Sequence, residues 1–155
     1  MEKFDFSVPG FKCYSKEVYF RAGSDIVSDV YTKALNGDLR IAFSIWNIGE
    51  VLGALNKYYR RGWLSRDKYE IARVQFLWET VRLLKLRILR IVPVKTKLLI
   101  NCLPLVEKHQ LYIAGALQLV TAKYVGAEVL YTGDRGLAKV AELEGLKSLY
   151  LGQPS

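Results

Sequence analysis

Three acids lie where predicted strands give way to the next element. Asp5 falls inside the apolar run at 4–8, Glu50 in the first turns after the run at 39–45, and Asp134 directly after the run at 128–132. Open parallel sheets bind ligands beyond the carboxyl ends of their strands, so the three acids are expected around one crevice. Clustered carboxylates suit hard ions such as Mg²⁺ or Mn²⁺. For Asp134 alone, the dipole of a helix N-terminus is an equal explanation.

The elements that must position these acids alternate along the chain. Apolar runs predict strands at 4–8, 39–45, 91–94, 128–132 and 148–151. Helical periodicity predicts helices from Ser24 to about Asn36, at 46–61, from Ser65 to about Arg90, at 96–108 with a bend or break at Pro104, at 112–125 and at 134–144. Strands that alternate with helices and lack a period of two predict an α/β fold, with a parallel sheet of about five strands covered on both faces. We expect one domain over 1–152 and a short tail at 153–155.

Composition excludes several other site chemistries. The 155 residues include one histidine and two cysteines, too few for a zinc finger, and any Ser-His or Cys-His triad would need His109 as its base. No apolar run reaches the ~18 residues of a membrane span, and no secretory signal is apparent, so we expect a cytoplasmic protein without a membrane partner. The net charge of +8 favours an anionic partner, of which nucleic acid is the commonest.

Four stretches of the chain resemble the motifs of one family. They are Phe4-Asp5-x-Ser7-Val8, then Ser44-x-x-Asn47-x-x-Glu50-Val51-x-x-Ala54-Leu55, then Leu111-Tyr112-Ile113-Ala114-Gly115-Ala116-Leu117-Gln118, and Thr132-Gly133-Asp134-x-x-Leu137-x-x-x-Ala141. Their order and content resemble the PIN domain, and among PIN domains they look most like the VapC toxins of toxin–antitoxin systems. Only the segment 11–22 matches poorly.

The resemblance implies a metal-dependent endoribonuclease. Asp5, Glu50 and Asp134 would be both catalytic and metal-binding residues, holding Mg²⁺ or Mn²⁺ against an RNA phosphodiester. Ser7, Asn47 and Thr132 would support them, although Ser7 and Thr132 are equally well explained as ordinary hydroxyls at strand ends. The resemblance also implies a homodimer and a VapB-like antitoxin as partners.

One position departs from the family pattern. The pattern calls for Asp where this chain has Gly115, and helix propensity does not explain a glycine early in a helix, since it costs about 1 kcal/mol relative to alanine. One interpretation is activity that persists with three acids, at a lower level. The alternative is a catalytically degenerate PIN domain that binds RNA or an antitoxin without cutting.

Basic and apolar surfaces suggest partners. Arg60, Arg61 and Arg66, at the turn between two helices, are candidates for RNA contact, and a solvated helix face is the other interpretation. The aromatic residues Tyr58, Tyr59 and Trp63 could stack on bases or pack the two helices together. The long helix from Ser65 carries more apolar surface than one core needs, which predicts a covering partner and, most economically, a homodimer.

Overall fold

The computed structural model describes residues 4–7 and 24–151, with the backbone alone described at 4–7, 24, 25 and 27. The strands are β1 (Phe4–Ser7), β2 (Arg40–Ser44), β3 (Leu89–Val92), β4 (Ala127–Thr132) and β5 (Lys147–Tyr150). The helices are α1 (Ser24–Leu35), α2 (Ile45–Arg60), α3 (Arg66–Lys85), α4 (Thr96–His109), α5 (Ile113–Val125) and α6 (Arg135–Leu143). The segment 11–22, which matches the family motifs poorly, and the predicted tail at 153–155 lie outside the described residues.

The strands form one parallel sheet in the order β3-β2-β1-β4-β5. β1 is central, with Asp5 opposite Ile41 of β2 and Ser7 opposite Tyr131 of β4. From β1 the chain continues to β2 and β3 on one side of the sheet, and it later adds β4 and β5 on the other side of β1. The strand order therefore reverses between β1 and β4, and ligands of open α/β sheets bind at such a point.

Both faces of the sheet are buried. Ile41 and Phe43 of β2 pack on one face with residues of α1 and of the end of α3, while Ala42 packs on the other with α4, α5 and α6. A strand enclosed on both sides needs apolar residues at successive positions, which explains the missing alternation in the sequence. The α/β fold, with a parallel sheet of five strands and helices on both faces, is confirmed.

The end of α3 corrects one prediction. The helix stops at Lys85 rather than near Arg90, and Arg87 adopts a left-handed conformation with φ of 58°. The backbone N–H groups of Arg87 and Ile88 donate to the carbonyls of Leu84 and Leu83, which turns the chain into β3. The run from Leu83 to Val92 mixes apolar residues with Lys85, Arg87 and Arg90 and contains no glycine, proline or asparagine, so its composition gives no sign of this turn.

Pro104 does not break the helix, which was one of its two predicted effects. It lies inside α4, which continues as one helix from Thr96 to His109. Pro104 is on the exposed side, where water can replace the hydrogen bond that proline cannot donate. None of the helices in the described ranges is long and apolar enough to cross a membrane.

Candidate metal and nucleic-acid site

A groove of about 820 Å³ lies beside the carboxyl ends of the central strands. Its polar lining includes Asn47, Glu50, Gln118, Thr132 and Asp134. These residues come from α2, α5, the end of β4 and the start of α6. Glu50 and Asp134, which are far apart in sequence, therefore lie in one groove, as the strand pattern predicts.

Glu50 is held by two amide side chains. Asn47 Nδ2 and Gln118 Nε2 each donate to Glu50 Oε2 at 3.1 Å. Asn47 is fully buried and also accepts from the backbone N–H of Ser44 at 2.9 Å, which closes a capping box at the start of α2. The cap fixes Asn47, and Asn47 in turn fixes the carboxylate one turn later.

Asp134 is fixed by the start of α6. It is the N-cap of that helix, and its Oδ1 accepts from the backbone N–H of Leu137 at 3.0 Å. Thr132 is buried and its hydroxyl accepts from the backbone N–H of Asp134 at 3.1 Å. The strand-end hydroxyl therefore shapes the turn that presents Asp134, so the capping explanation for this acid holds alongside its place in the groove.

The two acids share one pattern. Each has one oxygen bound by N–H donors, while Glu50 Oε1 and Asp134 Oδ2 make no hydrogen bond within the described part of the chain. Carboxylate oxygens of this kind fit a hard divalent ion. Among the described side chains, no three His, Cys, Asp or Glu residues are close enough together to hold a metal. The third predicted ligand, Asp5, lies on β1, and its side chain, like that of Ser7, is outside the described part.

A separate polar cluster ties together the helix ends near the groove. Lys108 Nζ and His109 Nε2 donate to Glu144 Oε1 at 2.8 and 2.7 Å, and Lys123 Nζ donates to Oε2 at 3.3 Å. These hydrogen bonds, led by that from Lys108, lower the pKa of Glu144 from 4.5 to about 2. We call these four residues the Glu144 cluster. His109, the sole histidine, lines the groove but is engaged here.

Comparison with known proteins identifies the family. The family model of the PIN domain matches residues 18–143. The chain belongs to the PIN domain family. PIN domains are in general metal-dependent nucleases that use divalent ions such as Mg²⁺ or Mn²⁺. The matched range includes Glu50, Gly115 and Asp134 and begins after Asp5.

A solved structure agrees with this fold. The crystal structure of PAE2754 from Pyrobaculum aerophilum resembles the chain with a TM-score of 0.55 and 19% identity, covering 95% of this chain and 89% of the other. At this identity the likeness speaks for the fold alone. A search of curated proteins finds no match.

In this PIN domain, Gly115 lies where the sequence departs from the family pattern. It lines the groove in the first turn of α5. Among the described residues, a Cβ at this position would meet only the two methyl carbons of Leu137, at 3.9 and 4.0 Å, which is ordinary contact. The fold therefore does not require glycine here.

The predicted RNA-contact arginines lie elsewhere. Arg60, Arg61 and Arg66 are exposed, and none lines the groove. Arg61 stacks over Trp63 at 5.0 Å, and the Tyr59 ring stacks on that of Tyr69 of α3 at 5.1 Å. Helix packing thus accounts for Tyr59, while Trp63 remains 62% exposed.

Sequence reasoning missed the role of Gln118. Its only sign was an amide between Leu117 and Leu119 in an otherwise apolar stretch, one helical turn after Gly115. A polar residue within a run of buried ones is a signal to look for a partner.

Proposed function

We propose that the chain is a PIN-domain ribonuclease that hydrolyses RNA phosphodiesters at a carboxylate site made by Glu50, Asp134 and Asp5. The single observation that supports this most strongly is the shared pattern of Glu50 and Asp134 in one groove. Each has one oxygen fixed by N–H donors and one oxygen that accepts no hydrogen bond from the described residues. Glu50 is on the helix that follows β2, and Asp134 directly follows β4. β1 lies between β2 and β4, so the backbone of Asp5 is on the strand between these two.

The residues of the groove have distinct tasks. The carboxylates would hold Mg²⁺ or Mn²⁺, which when bound makes water a better nucleophile near neutral pH and neutralises charge on the phosphate. Asn47 and Gln118 orient Glu50, and the cap of α6 with Thr132 orients Asp134. Fixed ligands lose little freedom when they bind an ion, so this arrangement favours metal binding.

A cleavage assay tests the proposal. Single-stranded RNA is incubated with the chain in Mn²⁺ or in EDTA, beside Glu50→Gln, Asp134→Asn and Glu107→Gln. Glu107 is exposed on α4 and outside the groove, so its variant controls for the loss of one carboxylate. We expect Mn²⁺-dependent cleavage by the chain and by Glu107→Gln, with a loss of 100-fold or more in the other two. Equal cleavage by all four would refute the proposal.

Gly115 supports a second candidate, a degenerate PIN domain that binds RNA or an antitoxin without cutting. The groove then has one acid fewer than the family pattern. RNA that binds the chain, and is cut only by Gly115→Asp, would favour this candidate over the first.

A VapC-like toxin role is the finer form of the proposal, and its support is the likeness of the four motifs. A toxin of this class would arrest growth when expressed, Glu50→Gln would relieve the arrest, and a VapB-like antitoxin would bind the chain. Growth that is unaffected by the active chain would leave the nuclease proposal standing and contradict the toxin role.

The outer face of α3 supports a homodimer. Ile71, Val74, Trp78 and Val81 follow one another at helical spacing and are 54, 56, 65 and 48% exposed. An apolar stripe of this length is typical of a surface that another protein covers. The isologous contact of two copies would cover it on both chains.

A further inference from the structure

Gln118 is a buried amide in the most apolar helix of the site. It is 7% exposed, and its neighbours Leu117 and Leu119 are buried in the core. Burying an amide without a hydrogen bond costs roughly 1–3 kcal/mol in proteins. An apolar residue would fill this position without that cost. The group that the amide binds therefore indicates the role of Gln118.

That partner is Glu50, 68 positions earlier in the chain. A carboxylate only accepts hydrogen bonds, so Gln118 must turn its NH₂ group toward Oε2. With Asn47 bound to the same oxygen, donors from two helices fix one edge of the carboxylate. Glu50 Oε1 accepts no hydrogen bond from the residues that the structure describes.

The place of Gln118 on α5 is equally specific. Ala114, Gly115 and Gln118 are the residues of α5 that line the groove, so Gln118 is the one polar side chain among them. It is three positions after Gly115 and therefore on the same helix face. With no side chain at 115, α5 contributes to the site through Gln118.

We infer that Gln118 is a positioning residue of the metal site: by holding Glu50 Oε2 it keeps Oε1 directed to a divalent ion, and it is the contribution of α5 in a chain without an acid at 115. This inference rests on the proposed carboxylate site and names the residue that prepares it. Residues that orient metal ligands affect metal affinity by about 10–100-fold.

Calorimetric Mn²⁺ titration and thermal unfolding test the inference without relying on activity. Gln118→Met keeps the length and removes the donor. Gln118→Glu keeps the length and places a second carboxylate beside Glu50. Thr121→Val is the matched control, because Thr121 is buried on the same helix, does not line the groove and, among the described residues, has no hydrogen-bond partner for its hydroxyl.

We expect Gln118→Met to bind Mn²⁺ about tenfold more weakly than the wild type, with an unfolding temperature in EDTA close to that of the wild type. We expect Thr121→Val to keep the wild-type affinity. Gln118→Glu should unfold earlier in EDTA, because two carboxylates repel, and Mn²⁺ should raise its unfolding temperature more than that of the wild type. Wild-type affinity in Gln118→Met, or an equal Mn²⁺ effect in Gln118→Glu, would overturn the inference.

The outcome also separates this inference from the proposed function. A tenfold loss in Gln118→Met, with no RNA cut by any variant, would support the positioning role and contradict the nuclease. RNA cleavage, with equal Mn²⁺ affinity in the wild type and in Gln118→Met, would support the nuclease and contradict the positioning role.

Discussion

Replacing Gly115 with Asp adds a carboxylate to the groove at the position where the family pattern has one. The backbone accepts the side chain, because its Cβ would lie 3.9 and 4.0 Å from the methyl carbons of Leu137. An acid in the first turn of α5 also interacts favourably with the helix dipole, by about 0.3–1 kcal/mol. Repulsion from Glu50 and Asp134 offsets this gain when no metal is bound. We therefore expect the unfolding temperature in EDTA to change little.

The effect on metal binding should be much larger. Two unit charges 4 Å apart interact by about 1 kcal/mol in water, and a divalent ion doubles this to about 2 kcal/mol. The water value applies because the groove borders solvent, with Tyr112 at its edge 90% exposed. Since 1.4 kcal/mol is tenfold, Mn²⁺ affinity should rise about 30-fold.

Calorimetric titration with Mn²⁺ measures this change, and Gly115→Asn is the matched control because it has the same size without the charge. RNA cleavage with the same three chains shows whether the added ligand also restores or raises activity. If Gly115→Asp binds Mn²⁺ no more tightly than Gly115→Asn, position 115 does not face the ion and the electrostatic reasoning is wrong.

Three further perturbations follow from the structure. Thr121→Val removes a buried hydroxyl that has no partner among the described residues, so it should stabilise the fold by about 1 kcal/mol in chemical denaturation. Folding lowers the pKa of Glu144 to about 2, so the Glu144 cluster stabilises fully above about pH 4.5 and its contribution is lost as the pH falls toward 2. Glu144→Gln should therefore lower the free energy of unfolding by about 1–2 kcal/mol at pH 7, a value reduced because the lysines that bind Glu144 are exposed. Near pH 2 the substitution should cost almost nothing. A loss of stability that is the same at both pH values would contradict this. Trp78→Ala should shift a homodimer toward monomer in light scattering at micromolar concentration, and a wild type that is monomeric at all concentrations would refute the α3 interface.

The sequence predicts the fold well where a strand is buried on both faces, as β2 is. β2 is apolar at successive positions, as a strand between two helical layers must be, and its alternation with helices along the chain favours a parallel sheet. The end of α3 was not predictable in the same way. Leu83 and Leu89 both join the core next to β2, one from a helix and one from a strand, so burial alone does not tell the two apart.

The placement of Glu50 and Asp134 in one groove was predictable from the sequence, and the residues that hold them were less so. Strand ends placed Glu50 and Asp134 in one groove because parallel strands bring their carboxyl ends to one edge. The bond from Gln118 to Glu50 joins residues far apart in sequence, and its existence depends on how α5 lies against α2. No periodicity in either helix encodes that angle. An isolated amide in an apolar run, as at Gln118, indicates a buried polar residue but does not predict its hydrogen-bond partner.

The buried amides bear on whether this PIN domain still uses its groove. Asn47 is fully buried and Gln118 nearly so, and apolar residues of similar size at such positions often leave stability unchanged or raise it. The fold does not need the acid at 115, since α5 forms with glycine there and is held by its buried residues at 116–122. The cap of α2 accounts for the burial of Asn47, but no other hydrogen bond among the described residues accounts for Gln118, and a chain with no use for Glu50 would gain nothing from that second amide. Gln118 therefore supports the proposal that the carboxylate is still employed, in a groove that would bind an ion through fewer acids than the family pattern has.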